Sequence, residues 1–115
     1  MLRQILKSKL QNVILTKKEL HYSGSIGIDR TLLLQSDMLP GEKVQVLNFN
    51  NGRRFETYII EEKADSGVIA LYGPAARLAE IGDKICVISY IFASEDEFKM
   101  IKPKIIIVDT GNKIK

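Results

Sequence analysis

Short runs rich in isoleucine, valine and leucine recur along the chain, and strand signals dominate its pattern. Residues 11–16 read as one strand, preceded by a shorter segment around residues 2–6. At 25–29, Ile26 and Ile28 alternate with small residues, and within 43–49 Val44 and Val46 keep the same two-residue period. Asn51-Gly52, a strong hairpin signal, introduces a strand over 54–61. Further strands are expected at 67–72, 84–92 and 104–109. Helical signals are few. Residues 30–36 can form a short helix that ends near Pro40-Gly41. Residues 74–80 begin with proline and stop before Gly82, and Ser94-Glu95-Asp96-Glu97 caps a third. Six or more short strands in 115 residues predict a mainly β fold, a small closed or nearly closed barrel with a few short helices, because closure removes exposed strand edges. Neither a repeat nor a long linker interrupts it, so residues 1–115 are expected to make a single domain.

Composition narrows the picture. Hydrophobic residues at 45% and charged residues at 27% are those of an ordinary globular protein. The longest apolar runs, such as 85–93, are too short to cross a bilayer as helices, and the N-terminal residues lack the apolar stretch of a signal peptide. A cytoplasmic protein with no membrane partner is expected. The single cysteine, Cys86, rules out an internal disulfide and reads as a buried thiol in an apolar strand. With one histidine, His21, zinc sites and Ser-His-Asp schemes have little to work with, and no metal is expected. The net charge of +3 is mild. Aromatic and basic residues do not alternate as in single-strand binders, so no nucleic-acid partner is signalled. The same charges suit a small anionic substrate.

Candidate chemistry gathers at Tyr22-Ser23-Gly24-Ser25. A Gly-Ser pair is ordinary turn material, yet a serine hydroxyl placed after glycine can attack the backbone carbonyl before it. Glycine admits backbone angles other residues avoid, which would let the 24–25 peptide be held strained. Period-2 geometry puts Arg54, Glu56 and Tyr58 on one strand face, with Arg54 and Tyr58 roughly 13 Å apart. Arg54 offers a planar fork for a carboxylate and Lys9 a point charge. Thr57 falls on the opposite face. Taken singly, each has a plainer reading: solvated cations, and a half-buried packing tyrosine at 58.

Read together, Ser8-Lys9-Leu10, the run L-H-Y-S-G-S over 20–25, N-N-G-R-R-F-E-T-Y over 50–58, G-P-A-A-R over 73–77 and I-G-D over 81–83 resemble the bacterial aspartate 1-decarboxylase family over nearly the whole chain. The resemblance implies a double-psi β-barrel of six strands. It also implies a pyruvoyl-dependent enzyme that converts L-aspartate to β-alanine and CO2 for pantothenate synthesis. By resemblance the precursor cleaves itself between Gly24 and Ser25, leaving residues 1–24 and 25–115 as two chains. Ser25 becomes a covalently bound pyruvoyl group that forms a Schiff base with the substrate and acts as the electron sink. Thr57 would serve the Gly24 carbonyl during attack, and Tyr58 would protonate the product carbanion. Arg54 and Lys9 would bind carboxylates. Tyr22, Thr57, Gly73, Pro74 and Ala75 would line the pocket. The resemblance further implies a homotetramer with active sites between subunits, so that Lys9 or Arg54 would act on a neighbour's Ser25.

The chain departs from the family at three positions. It has Gln11 where the family usually has histidine, Tyr72 for asparagine, and Pro74 for alanine, which removes an N–H. A phenol at 72 is expected to reshape the site. The competing reading is a non-catalytic barrel that binds an anionic ligand or a protein partner, with Gly24-Ser25 only a turn. The polar tail, residues 110–115, is expected to be frayed.

Overall fold

The isoleucine- and valine-rich runs form eight strands in a computed structural model that describes residues 1–115. They are β1 (Arg3–Ile14), β2 (Lys17–Glu19), β3 (Ser25–Asp29), β4 (Lys43–Asn48), β5 (Arg54–Glu62), β6 (Ile69–Tyr72), β7 (Lys84–Ala93) and β8 (Lys104–Ile107). Two short helices, α1 (Arg30–Ser36) and α2 (Glu95–Met100), and a 3₁₀ turn over Gly73–Arg77 connect them. Neighbours run in the order β2-β6-β3-β5-β4-β7-β1-β8. No helix is long and apolar enough to cross a membrane.

That order closes on itself. β2 continues β1 after a short gap; β1 pairs with β7 while β2 pairs with β6. Thr16 seals the junction: its N–H donates to the Ile69 carbonyl at 2.8 Å, and the Ile69 N–H donates to Thr16 Oγ1 at 3.1 Å. The ring therefore has six members, with the β1–β2 ribbon counted as one, and β8 lies parallel along the outer edge of β1. This is the small closed barrel the pattern predicts, with the six strands the family resemblance implies. Its interior holds Leu10, Ile26, Ile28, Val46, Ile59 and Leu71, each excluded from water. At about 1.5–3 kcal/mol per fully buried aliphatic side chain, this apolar centre is the main force closing the ring.

Three local expectations change. Residues 2–6 and 11–16 are one strand, not two, because β1 carries irregularities between Leu6 and Ser8 and between Leu10 and Val13. Extra residues there break the period-2 alternation. Asn12 takes φ 70°, a conformation asparagine tolerates. The helix expected over 74–80 is a shorter 3₁₀ turn, with Pro74 near its start. The tail is not frayed. Asn112 is 1% exposed; its amide donates to the carbonyls of Ile14 (2.9 Å) and Gly67 (2.8 Å), and its oxygen accepts from the Ile14 N–H (2.7 Å).

Helix ends follow the sequence closely. Asp29 ends β3 and caps α1, its carboxylate accepting from the backbone N–H groups of Thr31, Asp65 and Gly67 at 2.8–2.9 Å. Ser94 and Glu97 form a reciprocal capping box at the start of α2.

Candidate active site

Ser25 opens β3 and is fully buried. Its register partner on β6 is Tyr72, and the parallel pairing of β3 with β5 runs from Ile26 opposite Ile59. Ile26 and Ile59 point into the barrel, so Ser25, Tyr72 and Tyr58 all fall on the outer face. Ser25 is nonetheless hidden from water at that face. Its hydroxyl sits 3.5 Å from the Ser23 carbonyl, too long for more than a weak hydrogen bond. A small, buried hydroxyl with no strong partner stands next to the peptide it would attack.

The segment before Ser25 is held from one side by the 3₁₀ turn. Gly73 has φ +68°, and a Cβ there would lie 2.6 Å from the Tyr22 carbonyl oxygen and 2.8 Å from the Gly24 nitrogen. Only glycine allows this approach. Gly24 itself is not in the positive-φ region, and a Cβ on it would meet Pro74 Cδ at an ordinary 3.7 Å. The backbone freedom expected at Gly24 is therefore used at Gly73 instead. Pro74 packs toward Gly24, and Ala75 is buried in the same turn.

Tyr72 is only 5% exposed. Its hydroxyl donates to Glu62 Oε2 at 2.6 Å, its ring packs on that of Tyr22 with centroids 4.9 Å apart, and Lys17 Nζ lies 5.5 Å from its centroid. Burial first, and then the Glu62 hydrogen bond, push its hydroxyl well above the usual tyrosine range. The phenol at 72 therefore turns away toward Glu62, and nothing in the residue types alone signals this cluster.

Lys9 and Arg54 form a second group. With Gln11, Leu47, Phe49 and Cys86 they line a groove of about 530 Å³ on the outer face of β1, β4 and β7. Cys86 is buried as expected, and burial pushes its thiol up against a smaller opposite pull from Lys9. Ser25, Tyr22 and Tyr58 do not line this groove. Arg54 precedes Tyr58 by four residues on the same face, about 13 Å at ordinary rise, and Lys9 is three strands from β5, about 14 Å across. Thr57 keeps the opposite parity: it is half-buried between Phe55 and Ile59, and the β4–β5 register runs without a shift. One chain thus brings Tyr22, Gly24, Ser25, Tyr58, Gly73, Pro74 and Ala75 together, keeps Lys9 and Arg54 apart from them, and turns Thr57 to the other face.

Comparison with known proteins gives the class first. A crystal structure of the rationally designed mkDPBB_sym_86 protein superposes with a TM-score of 0.51 at 15% identity, covering 67% of this chain and 90% of that one. The fold is a double-psi β-barrel. Sequence then gives the family. The aspartate decarboxylase family model matches residues 1–115. Aspartate 1-decarboxylase of Thermoanaerobacter pseudethanolicus is 51% identical over 98% of this chain and 97% of that protein. That of Clostridium beijerinckii is 45% identical over 100% and 93%, and that of Campylobacter jejuni 51% over 94% and 85%. The chain belongs to the aspartate decarboxylase family and is an enzyme, a decarboxylase.

Proposed function

We propose that this chain cleaves itself between Gly24 and Ser25 and then decarboxylates L-aspartate at C1, giving β-alanine and CO2. The observation that carries the reading is the buried, weakly partnered Ser25 hydroxyl beside the Gly24 peptide at the head of β3. Attack of Ser25 Oγ on the Gly24 carbonyl carbon breaks the C–N bond, leaving an ester and a free amine on residue 25. Elimination frees the Gly24 carboxylate, and water then releases ammonia to leave a pyruvoyl group. Residues 1–24 and 25–115 become separate chains.

The pyruvoyl carbonyl supplies an electron sink for loss of the α-carboxylate. Position 25 fits such a group, being small, buried and flanked on its own face by Tyr58 and Tyr72. Tyr58, 41% exposed on that face, supplies the proton to the product carbon. Aspartate carries two carboxylates, which the paired cations Lys9 and Arg54 suit. Within one chain those cations are too far from Ser25 for an amino acid to touch both. We infer that a second copy supplies them, which favours the homotetramer with sites between subunits. Phe49, 60% exposed on the rim of the Lys9–Arg54 groove, is the kind of aromatic surface a neighbouring subunit would cover. Thr57 shares the parity of Phe55 and Ile59 and does not face Ser25 within one chain. A cytoplasmic location goes with this biosynthetic reading.

Mass spectrometry of the denatured protein tests it. The expected result is two fragments split after Gly24, the larger one ammonia lighter than simple hydrolysis would leave. A Ser25→Ala variant that still released CO2 from aspartate would overturn the mechanism.

A further inference from the structure

The outer face of β3 carries Ser25 and Gly27, and both neighbouring strands send a side chain over it. From β6 comes Tyr72, directly opposite Ser25. From β5 comes Glu62, whose carboxylate occupies the space a side chain at Gly27 would need. The two meet in the 2.6 Å hydrogen bond, so Tyr72 is fixed at its base by the strand and at its tip by Glu62. A tyrosine has only two soft side-chain torsions, and these restraints leave the ring one orientation. Against that ring lies Tyr22, at 4.9 Å and an interplanar angle of 44°. Tyr22 is otherwise 57% exposed, so without the stack its side chain would be largely free in solvent. Its carbonyl oxygen also lies 2.6 Å from where a Cβ on Gly73 would stand.

We propose that Tyr72 is a positioning residue for self-cleavage: by stacking on Tyr22 it holds residues 22–24 so that the Gly24 carbonyl stays beside the Ser25 hydroxyl, with Glu62 locking the ring. This rests on the self-cleavage reading and deepens it. The Tyr72 hydroxyl is committed to Glu62 and takes no part in the bonds that form and break. It works through the backbone it immobilises, for which displacements of about 1 Å can cost a hundredfold in rate. The raised pKa of its hydroxyl supports the same picture, since the group stays a neutral donor to Glu62 throughout the physiological range.

The test follows cleavage of freshly made, full-length protein by mass spectrometry over time, beside its melting temperature. Tyr72→Leu removes the ring and should slow cleavage by roughly ten- to a hundredfold while folding normally. Tyr72→Phe keeps the ring but not the tether and should recover most of the rate. Glu62→Gln, which still offers an acceptor, should lie near the unaltered protein. Cleavage of Tyr72→Leu at the unaltered rate, or equal impairment of the Phe and Leu variants, overturns the proposal. Should Tyr72→Leu not fold, Tyr22→Leu removes the other ring and should show the same slowing. If the unaltered protein never splits, the self-cleavage reading itself has failed. Amide hydrogen exchange at Ser23–Ser25 then decides the positioning: protection should fall in Tyr72→Leu and hold in Tyr72→Phe, and unchanged protection in both overturns it.

Discussion

A single missing Cβ at Gly73 lets the 3₁₀ turn touch the chain at Tyr22 and Gly24, and this fixes which glycine the proposed cleavage junction depends on. Gly73→Ala forces a side chain into backbone at 2.6–2.9 Å and into positive φ at once. It should lower stability by about 1–3 kcal/mol and nearly abolish cleavage, read by denaturant melts and mass spectrometry on the same samples. Gly24→Ala meets only an ordinary contact and should fold normally, with unchanged denaturation midpoint. Sequence alone singles out Gly24 because it precedes Ser25, the proposed nucleophile. Which glycine bears the strain depends on two segments some fifty positions apart meeting in space, and no local pattern records that. The same holds for Tyr72, whose partners Glu62, Tyr22 and Lys17 come from three different stretches.

Among the elements, those with a local cause were the legible ones. Helix α1 begins and ends where Asp29 and Asp37 cap it, the Asn51-Gly52 hairpin joins β4 to β5, and Ser94 starts α2 through its capping box. β1 resisted reading because its extra residues near Lys7 and Asn12 shift the side-chain alternation mid-strand. Lys7 turns out to reach Glu42 at 3.1 Å, a carboxylate that also accepts from Ser89. β2, three residues long and made of Lys17, Lys18 and Glu19, has no apolar pattern to find. The tail looked like a solvated end, yet one asparagine ties it to β1 and to Gly67. Asn112→Ala leaves the Ile14 and Gly67 groups without these partners inside the protein. It should cost about 2–4 kcal/mol, seen as a lowered denaturation midpoint, with α2 and its cap unaffected.

For the whole molecule, pH bears on stability from both ends. The Glu80 backbone N–H, and then the Asn48 amide, hold the Asp83 carboxyl below the usual range. A depressed folded value means its contribution is present above about pH 4 and is lost as pH falls through the folded value. Tyr72 has the opposite sign. Its raised folded value gives a contribution that is complete below about pH 10 and is lost as pH rises further. Melting temperature should therefore fall on both sides. The acid limb should be shallower in Asp83→Asn and the alkaline limb shallower in Tyr72→Phe. Crossed effects, each variant flattening the other limb, would contradict the assignment.

The Thr16–Ile69 seam has one more consequence. The first 24 residues supply β1 and β2, one whole stave of the ring, gripped by β7, β8 and β6. Once severed after Gly24, that stave has no covalent link to the rest, yet it cannot depart without opening the barrel. A protein cut there, as proposed, would behave as two complementary fragments. Its renaturation from denaturant would be a second-order meeting of two polypeptides, faster with concentration, whereas the uncut chain refolds as one connected polypeptide.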